Sequence, residues 1–181
     1  MYFPPRLPVF VRPLVVGLVI GCAGCGDSDS PTGPSAQVDG TWAYTLRLTS
    51  VSGGECVGAD LQSSSNVTDS GTLEIRQSGA SLTATIRSEL VVGACTYNGT
   101  ASGNSFVLNL TGCDSGTLQA GFGCSNGAVR DLEYTNNAIN ATVSGTNATG
   151  TSVETYNVNA ANSATRVGVL TLNWSFSATR R

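Results

Sequence analysis

In Thr41-Trp42-Ala43-Tyr44-Thr45-Leu46-Arg47-Leu48-Thr49 every even position carries a large apolar side chain, and every odd one a small, polar or charged residue. Alternate side chains of an extended chain point to opposite faces, so a period of two is satisfied by a strand with one buried face and one wet one. The alternation returns at Leu73 and Ile75, at Leu82, Ala84 and Ile86, at Phe106, Leu108 and Leu110, and at Ile139, Ala141 and Val143. It returns again at Leu170, Leu172, Trp174 and Phe176, and the Thr-rich positions in between suit the outer face of a sheet. No stretch carries a helical stripe.

The pattern predicts strands at 40–50, 71–77, 81–88, 94–101, 104–112, 128–135, 138–145, 151–159 and 166–178. Between them, Gln77-Ser78-Gly79-Ala80-Ser81, Ser102-Gly103-Asn104 and Asn136-Asn137 have the chemistry of tight turns joining antiparallel neighbours. A sheet with one apolar face must curl on itself or pack against a second sheet. Short sequential hairpins favour an all-β, antiparallel up-and-down meander closed into a barrel of about 8–10 strands, and the alternative is a two-sheet β-sandwich with Greek-key crossovers. An all-antiparallel barrel needs an even number of strands, so either one assignment fails or a weak strand lies within 57–69. The inward set includes Trp42, Leu108 and Trp174, with Tyr44, Tyr97, Tyr134 and Tyr156 supplying hydroxyls. A barrel of this size is filled by its own side chains or holds one small, mainly apolar ligand.

Upstream, Leu14-Val15-Val16-Gly17-Leu18-Val19-Ile20-Gly21-Cys22 is an apolar run preceded by Arg6 and Arg12. It is too short for a mature transmembrane helix, which takes about 20 apolar residues, and fits the core of an export signal. Val19-Ile20-Gly21-Cys22 resembles the signal of bacterial lipoproteins, in which an aliphatic residue and a small one precede a lipid-modified cysteine. That resemblance implies a signal peptide over 1–21, acylation of Cys22, and a lipid-anchored protein of the cell envelope, at the outer membrane or cell surface. Cys25 is the rival site, but it has Cys22 where an aliphatic residue belongs. The segment 22–37 is Gly, Ser, Pro and Asp with no bulky apolar residue before Val38. It reads as a flexible tether reaching roughly 20 Å, followed by a single all-β domain over 38–181.

Only 12% of the chain is charged, and it contains no histidine. Every basic residue is arginine, and the net charge is −3. The commonest metal ligand and general base are therefore missing, as is any Schiff-base amine. Scattered arginines on an acidic chain do not form the basic stripe that nucleic acid requires. Asp131 and Glu133 share one face of a strand, the pattern of a solvated outer surface, and Glu74 beside Arg76 reads as an exposed ion pair. The expectation is a non-catalytic protein without cofactor or metal, whose partners are a membrane, through the lipid, and a small apolar ligand; the alternative is a structural or protein-interaction β-sandwich module of the envelope. Oligomeric state is left open by the sequence.

Cys56, Cys95, Cys113 and Cys124 form an even set in a chain read as exported, and so predict two disulfides. Their spacing holds no C-x-x-C knuckle of the kind that binds zinc. Three pairings are open. Cys113 and Cys124 flank one Gly-rich loop, and pairing them leaves Cys56 with Cys95. All four fall at the end of the barrel opposite Trp42.

Gly40-Thr41-Trp42 resembles the Gly-x-Trp signature of the calycins, the lipocalin and avidin-like barrels. In lipocalins that tryptophan plugs the closed end and often stacks on an arginine near the end of the last strand. The resemblance implies that Trp42 closes the barrel, with Arg180 or Arg181 over its ring.

Overall fold

The computed structural model describes residues 37–64, 66–89, 93–114 and 118–181. The expected signal peptide, Cys22 and the tether up to residue 36 lie outside them. Nine strands and one helix follow in order: β1 (Gly40–Gly53), α1 (Glu55–Ser63), β2 (Thr68–Ser78), β3 (Ser81–Ser88), β4 (Cys95–Ser102), β5 (Ser105–Cys113), β6 (Leu118–Gly123), β7 (Val129–Ser144), β8 (Asn147–Ala160) and β9 (Arg166–Arg180).

Every strand pairs antiparallel, in the order β5-β4-β3-β2-β1-β9-β8-β7-β6. A further ladder joins the far edges: Ser105 to Asn109 of β5 pair with Thr142 to Ala138 of β7. That ladder closes β1–β5 and β7–β9 into an eight-stranded barrel and leaves β6 outside, on the first half of β7. The closed sheet excludes the sandwich.

The period of two fixes what faces in. Trp42, Leu73, Phe106, Leu108, Ile139 and Leu170 are at most 2% exposed. Each such side chain contributes about 1.5–3 kcal/mol on burial. The ring of Phe176 meets Tyr44 at 6.4 Å and, edge-on, Phe106 at 6.5 Å, so aromatic packing joins β1 and β9 to β5 across the interior.

Three sequence expectations are corrected. The predicted strands 128–135 and 138–145 are one strand, β7, and Asn136-Asn137 is not a turn. The ladder to β8 instead slips by one residue between Tyr134 and Asn136, a bulge that absorbs the pattern read as a break. β7 and β8 meet at a hairpin over 145–146, where Gly145 has φ 62°. Second, the region suspected of hiding a strand contains α1, a short helix whose Val57 and Gly58 are buried. Third, the loop 112–127 contains β6. Nine strands were expected and nine are found, by the cancellation of one split and one omission.

Closing a small barrel requires strands to coil until their backbones nearly touch. A Cβ at Gly99 would lie 1.9 Å from the Val107 carbonyl oxygen, and one at Gly150 would lie 1.9 Å from that of Asn140. Neither glycine has a left-handed φ, so close approach is what excludes a side chain. Gly150→Ala is expected to cost about 2 kcal/mol or more, because the neighbouring strand must move. Gly112→Ala, whose Cβ meets nothing within 4 Å, should stay within about 0.5 kcal/mol of wild type. Urea unfolding midpoints of the two variants check this.

Candidate functional site

One end of the barrel is sealed. Trp42 is 1% exposed, and its indole Nε1 donates to the Val38 carbonyl at 3.0 Å. The Arg180 guanidinium lies over the Trp42 ring at 4.7 Å and donates to the Gln37 carbonyl. Register places Arg180 there, since Trp42 pairs with Arg180 across β1 and β9. Arg181 contributes only its backbone, donating to the Thr41 carbonyl. The hairpins over 79–80, 103–104 and 145–146 lie at this same end.

The other end carries all four cysteines, as expected, but in a different pairing. Cys56 bonds Cys124, and Cys95 bonds Cys113. The second bridge follows from register: Cys95 and Cys113 are opposite each other in the β4–β5 hairpin, with Cα atoms 4.0 Å apart. Cys124 is then left for Cys56 on α1. Two polar ties reinforce that bridge, for Asp60 of α1 accepts hydrogen bonds from the Ser125 amide and hydroxyl, and Glu55 pairs with Arg130 at 3.1 Å. The ion pair among the described residues is this one, not Glu74 with Arg76.

Between the two ends, the interior carries a polar cluster. Starting from Tyr156, the period of two along β8 puts Glu154 and Ser152 on the same inward face, and all three contribute to it. Tyr134 and Asn137 of β7 are three apart and would face opposite sides of a regular strand; the bulge turns both inward. Trp174 from β9 completes the ring of donors around Glu154. Glu154 Oε2 accepts from Trp174 Nε1 at 3.0 Å and from the Tyr156 hydroxyl at 3.1 Å. Glu154 Oε1 has only longer contacts, from Asn137 Nδ2 at 3.3 Å and the Tyr134 hydroxyl at 3.4 Å. Asn137 Nδ2 also donates to the Tyr134 hydroxyl at 2.5 Å, while Asn137 Oδ1 accepts from Ser152 at 2.9 Å. Tyr97 of β4, 2% exposed, is buried in the same core.

A second inward carboxylate, Asp69 of β2, accepts from the Tyr44 hydroxyl at 3.1 Å and from Ser88 at 2.8 Å. No arginine is bonded to either carboxylate among the described residues; Arg47, Arg76, Arg87, Arg166 and Arg181 are exposed, Arg130 is held by Glu55, and Arg180 caps the sealed end.

Burial dominates the titration of this cluster. It pushes Glu154 up to about 7 from an ordinary 4.5; the donors Tyr156 and Trp174 pull the other way, and the charge of Asp69 adds to the rise. Burial also raises Tyr97, Tyr134 and Tyr156 far above the usual phenol range, with the Glu154 charge adding to each. These hydroxyls therefore stay protonated at any physiological pH and serve as donors.

Of the residues the sequence put forward, Trp42 and Arg180 meet, the four cysteines sit together at one end, Tyr134 and Tyr156 converge on Glu154, and Tyr44 bonds Asp69 instead. Asp131 and Glu133 do lie on the outer face, but Asp131 is only 5% exposed because β6 and the β8–β9 turn cover it. Its carboxylate accepts from the Gly121 and Asn162 amides, which ties the outside strand to the wall. Sequence reasoning missed Glu154, which stands in a Thr- and Asn-rich strand with the look of a surface, and Asn137, because Asn136-Asn137 has the chemistry of a turn. Tyr156, already assigned inward, was the signal that could have found Glu154.

The raised pKa fixes a pH dependence. A carboxyl whose folded pKa lies above its unfolded one binds its proton more tightly when folded, so its stabilising effect is complete below about pH 4.5 and is lost as pH rises through 7. The loss amounts to about 3 kcal/mol. Glu154→Gln should flatten that fall, which denaturant titrations from pH 5 to pH 8 on both proteins will measure. No protein-family model, curated protein or solved structure matches the chain, so no relative's activity bears on what the cluster does.

Proposed function

We propose that the protein is a lipid-anchored lipoprotein of the cell envelope whose barrel binds a small, mainly apolar molecule without catalysing a reaction on it. The observation that carries this reading is the Glu154 cluster: oriented donors from β7, β8 and β9 converge on one carboxylate inside a barrel whose buried core is mainly apolar. Burying a charge without a cation beside it is costly, and such arrangements cluster at functional sites. An apolar cup with a few fixed polar groups is the usual make-up of a small-molecule site. The sealed end at Trp42 and the disulfide-bound rim at the other supply a rigid frame. Disulfides persist in oxidising compartments, which supports export.

The lipid anchor rests on Val19-Ile20-Gly21-Cys22, and a sequence without histidine to activate a serine supports the non-catalytic role. The barrel's sealed end is where the tether would join, at Val38, so the rim with the disulfides is the end away from the point of attachment.

Two measurements test this. Mass spectrometry of the mature protein should find Cys22 as the first residue, carrying a diacylglycerol and an N-acyl chain, and Cys22→Ala should release the protein from membranes. N-phenyl-1-naphthylamine, a neutral fluorescent probe, should bind one per chain with a blue-shifted emission, and Leu108→Trp, which fills the interior, should weaken it by roughly tenfold. Unmodified Cys22 would remove the anchor, and absence of probe binding would remove the cup.

A further inference from the structure

The chemistry around Glu154 selects among apolar ligands. We propose that the barrel prefers a small organic cation, an amine on an apolar body, whose ammonium group binds Glu154 Oε1 beside the packed rings of Tyr134 and Tyr156. This rests on the ligand-binding reading above and narrows it.

Four observations point the same way. Both inward carboxylates, Glu154 and Asp69, lack a cationic partner among the described residues, so the interior is electrically negative. The oxygens of Glu154 are unequal: Oε2 is saturated by two donors at 3.0 and 3.1 Å, while the contacts of Oε1, at 3.3 and 3.4 Å, lie beyond the range of good hydrogen bonds. An N–H donor from a ligand can take Oε1 without breaking the stronger pair. The Tyr134 and Tyr156 rings pack against each other beside this oxygen, with centroids 4.9 Å apart, and the outer face of such a pair attracts an ammonium group most strongly where water is excluded. Finally, the wall is discontinuous at the right height. β7 pairs with β5 from Ala138 onward and with β6 up to Glu133, so residues 134–137, which include Tyr134 and Asn137, pair with neither.

The donor set disfavours the other ligand classes. An anion would meet two carboxylates, and a metal ion would gain nothing from the indole N–H and amide N–H groups already aimed at Glu154. Bound ammonium takes the place of the proton on Glu154, so binding strengthens as that proton leaves. The groups facing it from the neighbouring strands are Asp69 on β2, Tyr97 on β4, Tyr134 on β7 and Tyr156 on β8, and the tyrosines stay neutral throughout.

The test uses the full chain, purified in detergent with its disulfides formed, and displacement of N-phenyl-1-naphthylamine by three molecules of like shape: phenethylamine, 2-phenylethanol and 3-phenylpropionate. At pH 8 the amine should displace the probe at least about tenfold more effectively than the alcohol, and the carboxylate least of all. At pH 5 the amine should lose about tenfold while the alcohol is unchanged. Glu154→Gln should bring the amine down to the alcohol's level. If that variant does not fold, the pH comparison on the wild-type protein decides alone. A bound probe with amine and alcohol equal at pH 8 would overturn the cation preference and leave the cup standing; a probe that never binds would overturn both.

Discussion

Five residue pairs between β5 and β7 hold the architecture together. Without that ladder the nine strands form an open sheet with one apolar face, and Leu108, Ile139 and Phe106 would lie along two wet edges. With it, each inward residue has neighbours on all sides and both edges of the barrel wall disappear. The ladder is short because β7 serves two partners. Its second half closes the barrel against β5, and its first half carries β6, so the strand that completes the wall also opens it over 134–137. The bulge between Tyr134 and Asn136 lies within that same interval. One irregularity thus accounts for where the wall parts and why Tyr134 and Asn137 both face inward.

The consequence is a local conflict between packing and solvation. A barrel wall that is apolar inside should not face a glutamate, and β8 places one there along with Ser152 and Tyr156. Four donors compensate the carboxylate only in part, since burial still outweighs them in setting its pKa. A leucine at this position would satisfy the core better. The fold tolerates the charge because apolar residues from Trp42 to Phe176 bury the rest of the wall, and because the rim is fastened through two disulfides and the ties from α1 to Ser125 and Arg130.

What the sequence disclosed follows from how local each signal is. Strand identity is carried by alternation within a few residues, so β1, β3, β5 and β9 were legible from Trp42, Leu82, Phe106 and Trp174. The seal was legible through Gly40-Thr41-Trp42 and the position of Arg180. Features that depend on partners distant in the chain were not. Asn136-Asn137 has turn chemistry, and only the register with β8 makes it a bulge; Cys95 faces Cys113 only once the β4–β5 hairpin is in place. The helix α1 was hidden because its apolar face amounts to little more than Val57, too short a stripe to stand out. β6 lies in a Gly-rich stretch whose pairing depends on where β7 begins.

Glu154 shows the same limit from the side of function. Its neighbours in sequence, Val153 and Thr155, give no sign of a site, and a glutamate in a Thr-rich strand reads as a surface residue. Its inward direction is nonetheless dictated by Tyr156, since two residues on one strand separated by two share a face. A polar residue caught on the apolar register of a strand is a local contradiction, and contradictions of this kind tend to mark functional positions. Applied to this chain, the rule selects Ser152 and Glu154 on β8 and Asp69, which pairs with Leu46, on β2. It passes over Asp131 and Glu133, which lie on the outer register. The distinction between an acid inside the barrel and one outside it is therefore available from strand phase, once a single inward residue on each strand is known.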